Sequence, residues 1–156
     1  MKNKTILLNT LLIALFSITL ISGCKKEDDD DGNGIPANTL VAAGTNINMA
    51  GINCGPRGSG DFGLTANDVS NDNILDLRFG GSAPATTTTF PLSPSGSSSD
   101  AWGTYTVNGS LVYEIQSGNA NYTPGSNGKF IITFTGVLAE ASNGSTVTLS
   151  FNGTCN

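Results

Sequence analysis

The chain has 156 residues, with 7 Lys or Arg against 12 Asp or Glu, a net charge of −5 and no histidine. Lacking histidine, it has no usual general base, no usual zinc ligand and no relay of the serine-protease kind. Only 12% of its residues are charged while Ser, Thr, Asn and Gly abound, which is the surface chemistry of secreted β proteins and offers nucleic acid no basic face.

Lys2 and Lys4 form a short basic head, and a mostly apolar run follows from Ile6 to Ile21, interrupted by Asn9, Thr10, Ser17 and Thr19. As a helix that run is about 24 Å long at about 1.5 Å per residue, short of a hydrocarbon core about 30 Å thick. Basic head, short apolar body and small residues before a cut site read as a secretory signal over residues 1–23 rather than a membrane-spanning anchor.

The cut site carries more. Ile21-Ser22-Gly23-Cys24 resembles the lipobox of bacterial lipoproteins: an aliphatic residue, two small residues, then cysteine. The resemblance implies cleavage after Gly23, a diacylglyceryl group on the Cys24 thiol, and acylation of the new α-amine by a fatty acid such as palmitate. Several acyl chains hold far more firmly than one, because each buried methylene contributes about 0.8 kcal/mol. Lys25-Lys26-Glu27-Asp28-Asp29-Asp30-Asp31 resembles the charged tether that surface-exposed lipoproteins of the Bacteroidota carry after the lipidated cysteine, which implies the outer membrane and an outward-facing domain. As charge alone, the linker 24–34 is solvated and self-repelling. Lys rather than Asp follows Cys24, so the inner-membrane retention signal of enterobacteria is absent.

Residues 35–156 are one domain's worth of chain, enough for a real core. They carry three basic residues (Arg57, Arg78, Lys129) against seven acidic ones, a balance of −4. With Cys24 lipidated, Cys54 and Cys155 remain as an even pair in an oxidising compartment, and a disulfide is expected over two free thiols. It would close a loop of about 100 residues and stabilise by roughly 4–5 kcal/mol. Spacing alone does not show that the two cysteines meet.

No amphipathic helix pattern follows residue 35. Short alternating segments appear instead, separated by Gly, Asn, Ser and Pro, so the fold class is all-β: an Ig-like antiparallel β-sandwich, with a jelly roll or small β-barrel as alternatives. The clearest strands are Ile74–Phe79, Leu111–Ile115, Phe130–Phe134 and Val147–Phe151, each placing alternate apolar residues on one face. Weaker candidates are Thr39–Ala43, Asn46–Ile52, Thr86–Leu92, Gly103–Val107 and Ala120–Thr123. Asn108-Gly109, Asn127-Gly128 and Asn143-Gly144 mark hairpin turns, because both residues tolerate positive φ. Gly136–Ser142 is expected to widen the last hairpin connection, and Pro91–Asp100 to form an exposed loop. Gly103-Thr-Tyr105, Tyr122, Gly128-Lys-Phe-Ile-Ile-Thr-Phe134 and Gly153-Thr-Cys155 resemble the strands of small secreted lipoprotein domains of the Bacteroidota. That resemblance implies a β-sandwich and no activity.

Candidate sites are few. Gly58-Ser-Gly60-Asp-Phe-Gly63 matches a dinucleotide-binding glycine pattern, but no apolar strand precedes it and no helical pattern follows, so it reads as a glycine-rich loop. Asp68, Ser70, Asp72 and Asp76 have the oxygen spacing of a calcium loop. Asn73 stands where glycine is needed and Phe79 where a bidentate Glu is needed, so an Asx-rich turn is the preferred reading, with weak Ca²⁺ binding as the alternative and no other cofactor. Asp61, Asp100, Glu114 and Glu140 are carboxylates for a glycosidase pair only if two of them face each other across a groove, one of them buried. Trp102, beside the Ser-rich loop, is the aromatic best placed to stack on a sugar, while Tyr105, Tyr113 and Tyr122 read as core. Thr86-Thr-Thr-Thr89 lacks the long flat repeats that ice binding needs.

The expected function is therefore non-enzymatic: an outer-membrane lipoprotein, held to the bilayer by acylated Cys24, that binds a surface glycan or envelope protein through loops such as Asp61–Asn73 and Ser93–Trp102 or serves as a structural accessory. The alternatives are an extracellular polysaccharide hydrolase with paired carboxylates and a purely structural envelope lipoprotein.

Overall fold

The structure is a computed structural model that describes residues 34–155. The expected signal segment 1–23, the expected cut after Gly23, Cys24 and the linker up to residue 33 lie outside the described residues. Ten strands follow in chain order: β1 (Thr39–Ala42), β2 (Thr45–Asn48), β3 (Gly51–Pro56), β4 (Phe62–Asn67), β5 (Asn73–Phe79), β6 (Thr88–Leu92), β7 (Ala101–Val107), β8 (Leu111–Pro124), β9 (Phe130–Ala141) and β10 (Thr146–Cys155). They belong to one sheet in the order β2-β1-β10-β9-β8-β6-β7-β5-β4-β3. Pairing is antiparallel except for the Leu92–Ala101 bridge between β6 and β7. The fold is all-β as expected. Of the architectures expected from the sequence, the barrel-like one describes it: the sheet curls into a half-barrel instead of splitting into two packed layers.

The curl follows from connectivity. β2 and β3 lie at opposite ends of the strand order, yet only Met49 and Ala50 separate them in the chain. Three residue steps span at most about 11 Å, so the two ends of the sheet must come together there. Met49 closes the seam: its side chain is buried and its N–H donates to the Asn38 carbonyl at 2.9 Å. The Cys54–Cys155 disulfide fastens β3 to β10 beside it, with the two Cα atoms 5.7 Å apart. The segment leading into β1 runs along the end of β10. There the buried Asn152 amide donates to the Ile35 carbonyl at 2.9 Å, and the Thr154 N–H donates to Asn38 Oδ1 at 3.1 Å.

Inside the curl lies one core. Leu64 and Ala66 of β4, Leu75, Leu77 and Phe79 of β5, Ile115 of β8, Ile132 of β9 and Phe151 of β10 are all fully buried. On β9 the buried residues are even-numbered through Phe134 and odd-numbered from Val137. The switch is a β-bulge: Phe151 pairs with Phe134 and Leu149 with Val137, so Thr135 and Gly136 face one residue of β10. Gly136 takes φ 67°, which only glycine adopts freely, and its N–H donates to Ser150 Oγ. β8 makes the same change of parity between Ile115 and Ala120, across two register shifts. The bulges keep apolar side chains inward along strands too long and too curved for strict alternation. The Asn108-Gly109 and Asn127-Gly128 turns each have positive φ at both residues, as type I′ hairpins require.

A candidate ligand-binding cleft at one end of the half-barrel

Where β3 and β8 finish and β4 and β9 begin, aromatic residues from three strands meet. Phe62, the first residue of β4, lies with its ring 5.4 Å from that of Tyr122 on β8 and 5.9 Å from that of Phe130 on β9, both edge to face. Phe79 stacks behind Phe62 at 4.9 Å and meets Phe90 of β6 at 5.1 Å. Such ring pairs each contribute about 0.5–1.5 kcal/mol beyond their area. They form a firm floor at this end of the barrel.

Three chain segments stand over that floor: the turn joining β3 to β4, the loop Ser82–Ala85 between β5 and β6, and the turn joining β8 to β9. They enclose a cleft of about 550 Å³, within the 300–1,000 Å³ of ordinary ligand sites, which favour the mouths of β-barrels. A proline stands at each segment: Pro56 ends β3, Pro84 lies in the loop and Pro124 ends β8. A proline wall is stiff and has no N–H to offer. The neighbouring turn amides are already committed. Arg57 N–H donates to the Asp61 carbonyl at 2.7 Å, and Gly125 N–H to the Lys129 carbonyl at 2.7 Å. The Asp61 carboxylate accepts from Gly81 N–H at 3.2 Å and so ties the loop to the start of β4. Burial alone pushes the Tyr122 hydroxyl above its ordinary pKa, so it stays a neutral group at the cleft. The cleft is thus an apolar slot with a thin polar rim.

Comparison of the chain with protein-family models, with curated proteins and with solved structures gives no match. What the molecule does must therefore be argued from its own geometry.

The residues singled out in the sequence lie elsewhere. Asp68 organises the β4–β5 turn. Its Oδ1 accepts from the N–H groups of Asp72 (3.0 Å) and Asn73 (3.3 Å), and its Oδ2 from Asn73 Nδ2 (2.7 Å) and Ser70 Oγ (3.3 Å). Asp76 points away from that turn and accepts from Thr65 Oγ1 on β4, with Arg78 Nε at 4.0 Å. Among the described residues no group of three or more His, Cys, Asp or Glu side chains is placed to hold a metal ion. The Asp68 oxygens serve the turn that the Asx-rich reading describes. Hydrogen bonds, first of all from the Asn73 side chain, hold the Asp68 carboxyl below its ordinary pKa of 3.8. A depressed folded-state value means the carboxylate adds stability that is complete above the unfolded pKa and is lost as pH falls through the folded one. The stability gap between wild type and Asp68→Ala is therefore expected to be constant near neutrality and to close below about pH 3.8, read by urea unfolding across a pH series.

Trp102 lies on the outer face of β7, half-buried, with Gly96 of the Ser-rich loop against its ring. A Cβ at Gly96 would come within 2.4 Å of the indole, and its φ of +55° also disfavours a side chain. The ring is thus a prop for the loop, which leaves a sugar less of its face than the sequence suggests. Gly96→Ala is expected to lift the loop off the chain's single tryptophan, shifting its fluorescence to the red at a cost of about 1–2 kcal/mol.

The four carboxylates are scattered, with one exception. Asp100 is taken up by Ser93 and Ser99 in its own loop, and Asp61 by Gly81. Glu114 and Glu140 are direct cross-strand partners on β8 and β9, lining a shallow groove of about 530 Å³. Both side chains are exposed. The Asp61–Asn73 segment expected as one loop contains β4, so its ends fall at opposite ends of the barrel. The cleft itself escaped the sequence reading. Its floor residues Tyr122 and Phe130 look like core positions, and nothing in the chain signals that three distant proline-bearing turns converge.

Proposed function

We propose that this protein is a lipid-anchored binding module of the outer membrane, facing outward and without catalytic activity, whose ligand seat is the cleft over Phe62, Tyr122 and Phe130. The carrying observation is the cleft: about 550 Å³, apolar, stiffened by three prolines and floored by a buried aromatic cluster. An open cleft of this size leaves apolar surface in contact with water that a ligand would cover. The anchor rests on the Ile21–Cys24 motif and the charged run behind it. The hydrolase alternative is the weaker one. Glu114 and Glu140 do face each other, but both side chains are exposed, whereas the expected pair needs one of them buried.

Two measurements test the proposal. Intact mass of the protein purified from membranes should show a chain that starts at Cys24 and carries lipid; a chain retaining residues 1–23 refutes the anchor. An apolar dye such as anilinonaphthalene sulfonate should bind the folded protein in one-to-one ratio. Ala85→Trp, which places a large ring in the cleft, should abolish that binding. Dye binding unchanged by Ala85→Trp refutes the seat.

A further inference from the structure

We infer that the cleft is a seat for one alkyl chain of a membrane phospholipid. This deepens the binding reading above and rests on it.

The first argument is the shape of the chemistry. The floor rings present little of themselves: Phe62 is 5% exposed, Tyr122 4% and Phe130 7%. No broad aromatic face is left for a sugar to stack on. A peptide would need partners for its backbone groups, and here the turn amides of Arg57, Gly81, Gly125 and Lys129 all donate within the protein. What remains is mostly proline rings, alanine methyls, ring edges and glycine backbone, with Asp61, Ser82 and Lys129 as the polar minority of the lining. A slender saturated chain, which asks for no hydrogen bond, suits that surface.

The second argument is place. The described chain begins beside the cleft's end of the barrel. The Ile35 carbonyl is held by Asn152 of β10, and Cys155, three residues further along that strand, pairs with Phe130 in the cleft floor. Between Gly34 and the acylated Cys24 lie ten residue steps, at most about 36 Å of chain. With Cys24 acylated, the tether would join the barrel near the end on which the cleft opens and is short enough to keep that end within reach of lipid.

The test uses the full mature protein, acylated at Cys24, in phosphatidylcholine vesicles doped with a phosphatidylcholine that bears a diazirine near the end of one acyl chain. After irradiation, peptide mapping should find the label on the Ser82–Ala85 loop and the Pro124–Phe130 turn. Ala85→Trp should cut that labelling at least tenfold, while Val69→Trp, which adds the same bulk at a residue 84% exposed at the opposite end, should leave it unchanged. Circular dichroism should find both variants folded. No label on the cleft segments, or label that Ala85→Trp does not reduce, overturns the inference. If dye binding is still blocked by Ala85→Trp while lipid labelling fails, the cleft binds something other than phospholipid and the binding reading survives. If the protein carries no lipid at Cys24, the anchor is what has failed.

Discussion

Removing the Cys54–Cys155 bond is expected to lower the unfolding free energy by about 4–5 kcal/mol. The sequence separation is 101 residues, so the bond restrains nearly the whole unfolded domain. With an unfolding entropy of about 2.1 cal/mol/K per residue, that loss lowers the melting temperature by roughly 15–20 °C. The double variant Cys54→Ser/Cys155→Ser, unfolded in urea, should also show a larger m-value, because its unfolded chain is free to expand. A loss under about 1 kcal/mol would mean that pairing between β1 and β10, with Met49 in the seam, closes the sheet unaided.

Phe79→Ala is expected to cost about 3–5 kcal/mol, the range for a large aromatic cut out of a rigid core. Phe79 is completely buried between Phe62 and Phe90. The surrounding strands pair with neighbours on both sides, so the wall cannot collapse into the hole. Because Phe62 and Phe79 touch, the double variant Phe62→Ala/Phe79→Ala should lose less than the sum of the two single losses. Phe79 also supports the floor of the cleft, so dye affinity should fall along with stability. Val69→Ser, at a residue 84% exposed, should change stability by less than about 0.5 kcal/mol.

Much of the fold was legible in the residues, and the two strands cut short share one physical cause. The strands expected over Ile74–Phe79 and Val147–Phe151 alternate and lie within β5 and β10, the latter running on to Cys155. β9 was expected to stop near Phe134, because alternation fails at Gly136. The failure marks a bulge, after which the strand runs on to Ala141. β8 was likewise divided into two pieces at its change of parity. β4 was missed because its first residues, Phe62 and Gly63, close a glycine-rich pattern that reads as loop. A period of two is a property of a straight strand, and these strands curve. The Asx turn at Asp68 was visible because its hydrogen bonds are local in sequence. The cleft was not, because it depends on Pro56, Pro84 and Pro124 meeting in space.

The two-residue link between β2 and β3 also bears on when this molecule can fold. β1 pairs with β10 across Thr39 and Asn152, so the first strand of the domain waits for the last. Topologies dominated by such distant partners fold slowly, in milliseconds to seconds, because the loop must close before any contact rewards it. A chain made from its amino end can complete no stable nucleus around β1 until Thr146–Cys155 has emerged. During synthesis, closure of the sheet is thereby postponed until the last strand is available to pair.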